Sequence, residues 1–166
     1  MPQTKLPPWT PAQERVANPF IRIMTTLNIW VFRLSGGRLG SRFARGAPVC
    51  LVTTTGRKSG AERTVALIHL ADGPNVVIVA SKGGMAKHPI WYLNLVASPR
   101  CTVEIGSERR AMVARTASAA EKQALWPRLV AIYRDYDDYQ ARTERDIPVV
   151  ILEPAGDEAP IDDRGD

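Results

Sequence analysis

The chain is poor in the residues that most often carry chemistry. Its 166 residues include 2 cysteines and 2 histidines, with no CxxC, no HExxH and no Gly-x-Ser-x-Gly. Catalysis by a protein-held metal, dithiol redox chemistry and a serine-hydrolase triad are therefore unsupported. Cys50 and Cys101 each fall in an apolar, strand-like run, the pattern of buried, inert thiols in a reducing compartment. His69, alone in an apolar stretch, reads as a packed residue. The start "MPQTKLPPWTPAQ" lacks the layout of a signal peptide, and no stretch reaches the ~20 apolar residues that span a bilayer, so a cytoplasmic protein is expected. If this is an enzyme, a bound cofactor carries the hard chemistry.

Acids are also scarce at one end. From Met1 to Arg45, Lys5 and six arginines (15, 22, 33, 38, 42, 45) face the single acid Glu14. The whole chain has 22 Lys+Arg and 17 Asp+Glu, net +5, yet the segment after Ala155 holds five acids against Arg164 alone. Removing that −4 leaves +9 on residues 1–155. A body of this sign favours anionic partners: nucleic acid, lipid headgroups or phosphorylated small molecules.

Three regions follow: a proline-rich flexible start over residues 1–18, one domain over 19–154, and an acidic disordered tail over 155–166. Asn18 with Pro19 predicts a helix start, and apolar spacing carries that helix to about Leu34. With its arginines it reads either as an interfacial helix on anionic membrane or as a helix packed on the body. Strand-like runs span 47–55, 64–71, 75–81, 100–105, 109–116 and 147–152. Asp72-Gly73-Pro74 and Gly106-Ser107-Glu108 mark hairpins between them. Helices are expected over 88–96 and 118–133, the second opening on a Ser118-x-x-Glu121 capping box. The order β-β-β-α-β-β-α-β predicts a mainly β, α+β domain: a small barrel with helices outside.

Three stretches hold the candidate chemistry. "TTTGRKSG" places Arg57, Lys58 and Ser59 in a glycine-bounded turn with Arg63 beyond it. Such a turn is either a solvated basic hairpin or an anion-binding nest. "ASKGG" ends a strand with Ser81 and Lys82, then Gly83 and Gly84 remove side chains so that a flat ligand can approach the backbone. Phosphate at one end and a planar ring at the other is what a flavin-like cofactor requires. In "IYRDYDDYQART", Tyr133, Tyr136 and Tyr139 recur every three residues, roughly along one helical face, either as packing or as a substrate-pocket row of phenols. The rival class is a basic barrel that binds nucleic acid or membrane without catalysis. All 4 Trp, 4 Tyr and 3 Phe lie outside the proposed strands, so the barrel offers no base-stacking platform, and nucleic acid is not expected as a partner.

Taken together, "TTTGRKSG", "ASKGG", "KHPIWYLNL", "LWPRLVAIY" and "DYQARTERDIPVVILEP" closely resemble the deazaflavin-dependent nitroreductase family, the branch of the split β-barrel oxidoreductases that uses coenzyme F420. The likeness runs from about Phe20 to Pro154. It implies an FMN-binding-protein-like split barrel, with FMN as the alternative cofactor. On the family pattern Arg57, Lys58, Ser59 and Arg63 hold the phosphate end, and Ser81, Lys82 and Gly83 border the ring. Trp91, Tyr92 and Asn94 complete the wall, and the three tyrosines stand beside the substrate, one of them a candidate proton donor. The implied reaction is hydride transfer to a quinone or an α,β-unsaturated carbonyl. The nitroimidazole-reducing member has a tyrosine where Ile68 stands here. Isoleucine cannot donate a hydrogen bond, so quinone or ene reduction is implied in place of nitroreduction. Arg134-Asp135 also replaces the Pro-Gly or Pro-Ser often found between the first two tyrosines.

Overall fold

The computed structural model describes residues 7–43 and 46–156; the side chains of 18–26 and 28 also lie outside the described part. The Met1–Leu6 start, Arg45 and the acidic tail from Asp157 onward are among the residues it does not describe. Six antiparallel strands, β1 (Val49–Thr55), β2 (Glu62–Asp72), β3 (Asn75–Val79), β4 (Arg100–Ile105), β5 (Glu108–Thr116) and β6 (Val149–Pro154), close into a barrel in the order β1-β2-β3-β6-β5-β4. Each lies within about two residues of its expected position. Both expected hairpin turns also form, joining β2 to β3 and β4 to β5.

Side-chain alternation explains why these strands read as unbroken apolar runs. Val76 and Ile78 of β3, with Val150 and Leu152 of β6, point into the barrel. Their neighbours Val77, Val79, Val149 and Ile151 point outward beneath Leu125, Leu129, Tyr133 and Tyr136. Strands covered on both faces need apolar residues at every position. Cys50 and Cys101 are both buried free thiols in the interior cluster. Burial pushes them up to about 12 and about 11, which keeps them protonated and unreactive. His69 is 6% exposed, and burial lowers its pKa, so the ring is a neutral packed group.

Helix α2 (Ile90–Ala97) connects β3 to β4 and adds Trp91 and Leu95 to the barrel core. Helix α3 (Ala119–Ile132) opens on the expected capping box: Ser118 Oγ accepts from Glu121 N at 3.2 Å and Glu121 Oε2 accepts from Ser118 N at 2.8 Å.

Two helical expectations change. Helix α1 runs Pro11–Leu34, so it starts well before Asn18. The same rule, applied one proline earlier, accounts for it: Thr10 caps the end, Gln13 closes the box and Pro11 takes the first turn. The three tyrosines do not share one continuous helix. Tyr133 is the C-cap of α3 with extended backbone (φ −144°, ψ 99°), and a separate helix α4 (Asp135–Arg142) carries Tyr136 and Tyr139.

The barrel is closed unevenly. β2 pairs with β3 only from His69 to Asp72, whereas it pairs with β1 from Glu62 to Ile68. Among the described residues the first seven positions of β2 have a strand neighbour on one side only. This gap in the strand pairing lies between the β1–β2 turn and the end of β3, and α1 packs against β2.

Candidate functional site

The basic turn begins where β1 runs out of apolar residues. Thr53 and Thr54 are buried but satisfied: Thr53 Oγ1 lies 2.8 Å from Thr64 Oγ1, and Thr54 Oγ1 donates to Arg63 O at 3.3 Å. Gly56 N donates to Ala61 O, and Gly60 N, at φ +70°, donates to Gly56 O. A Cβ on Gly56 would stand 2.9 Å from Ser59 Oγ and 3.0 Å from Ala61 O, so the turn closes tightly only on glycine. Arg57, Lys58, Ser59 and Arg63 all reach solvent, and no described carboxylate forms an ion pair with the three cations. Like charges that make no described ion pair, even with Glu62 beside Arg63, suit an anionic ligand.

Asn94 reaches this turn from α2. Its side-chain oxygen accepts from Arg57 N at 3.1 Å, and its Nδ2 donates to Thr54 Oγ1 at 3.2 Å. At 1% exposure it braces the turn from beneath and offers no open face to a ligand. Trp91 is also buried, packed in the barrel core. Tyr92 is half-buried, its hydroxyl 3.1 Å from Thr116 Oγ1 and its ring 5.1 Å from that of His88. Of the three α2 positions, Asn94 is the one with a described hydrogen bond to the basic turn.

At the other end of the opening, β3 gives way to a 3-10 turn over Lys82–Gly84. Ser81 is right-handed (φ −72°, ψ −43°), while Lys82 has φ +46°, the only positive φ outside glycine among the described residues. Left-handed backbone on a residue with a Cβ costs roughly 1 kcal/mol and persists where surroundings impose it. Gly83 (φ 62°) and Gly84 (φ 75°) continue the turn. A Cβ on Gly84 would meet Tyr139 O at 2.6 Å, because α4 packs directly on it.

The tyrosines meet despite the helix break. Ring centroids of Tyr133 lie 5.2 Å from Tyr136 and 6.1 Å from Tyr139, and the Tyr133 and Tyr139 hydroxyls are 3.1 Å apart. Tyr133 and Tyr136 are 9% and 4% exposed, whereas Tyr139 is half-buried. Burial raises the pKa of Tyr133 and Tyr136, so both stay neutral and give up a proton less readily than a free phenol. Ile68 is half-buried on β2 and packs against the same cluster.

Three residues outside the expected set converge on the Ser81–Met85 turn. Trp9 Nε1 donates to Gly83 O at 2.8 Å, and Arg142 stacks on the Trp9 ring at 5.2 Å. Arg145 donates to the Ser81 and Met85 carbonyls of the turn and to that of Ala80 just before it. In the sequence Arg145 appears only as a charge before an apolar strand, with nothing to mark carbonyls some sixty positions upstream as its partners. Pro7, Pro8 and Trp9, with Gly84, Ala86 and residues 140–145, also line an open cavity of ≈ 850 Å³.

A six-stranded antiparallel barrel opened along one strand, with an anion-receptive turn at one end of the gap and a glycine turn at the other, defines a split-barrel oxidoreductase of the flavin and deazaflavin type. Comparison with known proteins narrows this. Residues 24–154 match the family model described as F420H(2)-dependent quinone reductase, and the chain belongs to that family. A Mycobacterium tuberculosis protein provisionally named an F420H(2)-dependent quinone reductase is 44% identical over 117 residues, 70% of this chain and 98% of the relative. Another M. tuberculosis protein named an F420H(2)-dependent quinone reductase is 37% identical over 127 residues, 74% of this chain and 84% of its own length. A solved F420-H2 dependent reductase superimposes with TM-score 0.60 at 41% identity, covering 64% of this chain and 94% of its own. A second structure, described as a domain-swapped dimer, gives 0.63 at 36% identity over 82% and 99% of the two chains. The residues present fit the deazaflavin at the cationic turn, which is bare for its phosphate and glutamates; Gly83 and Gly84, expected to leave room for a flat ring, are instead covered by Trp9 and α4, so the ring has to approach this turn from another side.

Proposed function

We propose that this chain is a reductase that binds reduced coenzyme F420 and passes two electrons to a quinone, with an α,β-unsaturated carbonyl as the related acceptor class. The observation that carries the reading is the unpaired cation cluster Arg57, Lys58 and Arg63 on a glycine-closed turn beside the open edge of β2. When bound, the reduced deazaflavin supplies a hydride, and conversion of a quinone to its hydroquinol takes up one further proton.

The chain's own residues bind, orient and exclude water. Arg57, Lys58, Ser59 and Arg63 hold the anionic end, and Asn94 keeps their turn in place through Arg57 N and Thr54. Ser81, Lys82 and Gly83 border the ring; Trp91 supports that wall from the core, and Tyr92 flanks it. Tyr139 is the phenol of the cluster that reaches solvent, and its hydroxyl, linked to that of Tyr133, is the hydrogen-bond donor for an acceptor oxygen. Ile68 keeps the neighbouring wall apolar. Because the buried phenols hold their protons tightly, water is the better source of the second proton.

The test is fluorescence titration with F420 and, separately, with FMN, followed by menadione reduction by the F420H2-loaded protein. Saturable F420 binding with turnover supports the reading; tight FMN binding with no response to F420 overturns it. In the same assay Tyr139→Phe is expected to slow menadione turnover severalfold with F420 affinity unchanged, and unchanged turnover leaves the tyrosines as packing.

A membrane surface is the second element of the reading. No described helix is long and apolar enough to cross a bilayer, but Val16, Trp30, Leu34, Leu39 and Phe43 are exposed alongside Arg15, Arg38 and Arg42. Apolar side chains interleaved with arginines suit a peripheral site on the cytoplasmic face of an anionic membrane, where lipophilic quinones reside. The protein should co-sediment with phosphatidylglycerol vesicles at low salt and lose this on deletion of residues 1–34. Absence of binding at low salt rejects it.

A further inference from the structure

Arg145 is a half-buried guanidinium whose desolvation lowers its pKa, and no carboxylate among the described residues pairs with it. Its donors go to one turn. Nε donates to Met85 O at 2.8 Å, one terminal nitrogen donates to Ser81 O at 2.7 Å and Ala80 O at 3.2 Å, and the other lies 3.3 Å from His88 Nδ1. Withdrawing a charge from water is costly unless its hydrogen bonds are made, so the turn and the arginine fix each other. The segment that carries Arg145 is itself held: Gln140 Nε2 donates to Arg145 O at 2.9 Å, Ile147 N donates to Gln140 Oε1 at 2.9 Å, and Lys122 Nζ donates to Ile147 O at 2.7 Å.

The geometry constrains the far side of the turn. In a planar trans peptide the C=O of one residue and the N–H of the next point in opposite directions. Drawing the Ala80 and Ser81 carbonyls onto Arg145 therefore turns the N–H groups of Ser81 and Lys82 away from it, and it accompanies the positive φ of Lys82. Successive right- and left-handed residues with converging N–H groups form a nest for a partial negative charge. Trp9 and Arg142 hold a further carbonyl of the turn two peptides later, at Gly83 O.

We propose that Arg145 is a positioning residue: it holds the Ser81–Met85 turn in the form that presents the Ser81 and Lys82 N–H groups to the carbonyl edge of the deazaflavin ring. This rests on the reading above that the turn borders F420. Lysine keeps the charge but lacks the fork that reaches three carbonyls, so Arg145→Lys separates geometry from charge.

The experiment uses the full-length chain with Arg145→Lys and Arg145→Gln, and with Arg115→Gln as a control, since Arg115 bonds Glu121 and Glu153 away from the turn. Hydrogen exchange of the cofactor-free proteins should speed up at least tenfold in the peptide covering 81–86 for both Arg145 variants and not for the control. F420 should bind the two variants at least tenfold more weakly, with partial recovery for Arg145→Gln in added guanidinium at concentrations that leave the fold intact. Unchanged exchange in Arg145→Lys, or F420 affinity within twofold of wild type in both variants, overturns the proposal. An equal loss in Arg115→Gln also overturns it. If the wild-type protein itself fails to bind F420, the functional reading falls, while the exchange measurement still decides whether Arg145 sets the turn.

Discussion

Replacing Lys58 and Arg63 together by alanine is expected to weaken F420 binding by about 100-fold or more while leaving the melting temperature within a degree or two of wild type. Each charge-assisted contact to a phosphate or carboxylate contributes roughly 1 to 3 kcal/mol, and each ~1.4 kcal/mol is a tenfold change in affinity. Both side chains reach solvent and neither takes part in a described ion pair, so little of the fold depends on them. Titration at two ionic strengths adds a second reading, because screening should erode wild-type affinity more than that of the double variant. Equal affinity for wild type and double variant removes the turn from the cofactor site. A loss of affinity that tracks a loss of folded protein assigns these residues to stability instead.

The largest expected stability effect lies at the other turn. Gly84→Ala forces a Cβ to within 2.6 Å of Tyr139 O and 3.2 Å of Arg142 Cβ, on a backbone with φ +75°. The left-handed conformation costs roughly 1 to 2 kcal/mol for alanine and the overpacking about 1 to 3 more. For a domain of this size the melting temperature should fall by about 5 to 15 °C. Gly73→Ala is the matched control: its φ is +60° but nothing lies within 4 Å, so only the backbone cost applies. Thermal unfolding of the two variants should therefore differ clearly. Equal melting temperatures mean that α4 yields at no cost, and that its packing does not shape the Ser81–Gly84 turn.

What the sequence reveals in advance is local. β-branched runs, turn dipeptides and the Ser118 capping box act over a few residues, and the six strands and α3 form close to where those signals stand. At the start of α1 two proline-capped beginnings compete, and Thr10-Pro11 with Gln13 satisfies more backbone donors than Asn18-Pro19 promises. Three-residue spacing places the tyrosines on one face, but spacing cannot register a helix that ends at Tyr133 and begins again at Asp135. Site residues divide in the same way. The cationic turn and the glycine turn announce themselves by composition, whereas Asn94, Trp9 and Arg145 act through backbone groups 37 to 74 positions away in the chain.

The unpaired stretch of β2 bears on how the molecule behaves in a crowded solution. A strand edge with free backbone donors and acceptors is a template on which another chain can add. On the proposed reading the gap that would admit a cofactor also invites self-association, and Glu62 and Arg63 at its exposed start set charge against that outcome. A cofactor seated along that edge would take the place of the missing strand. Protein made in a host without deazaflavin would then keep this stretch of β2 without a strand or cofactor beside it, and self-association in such preparations would follow from the empty groove and not from misfolding.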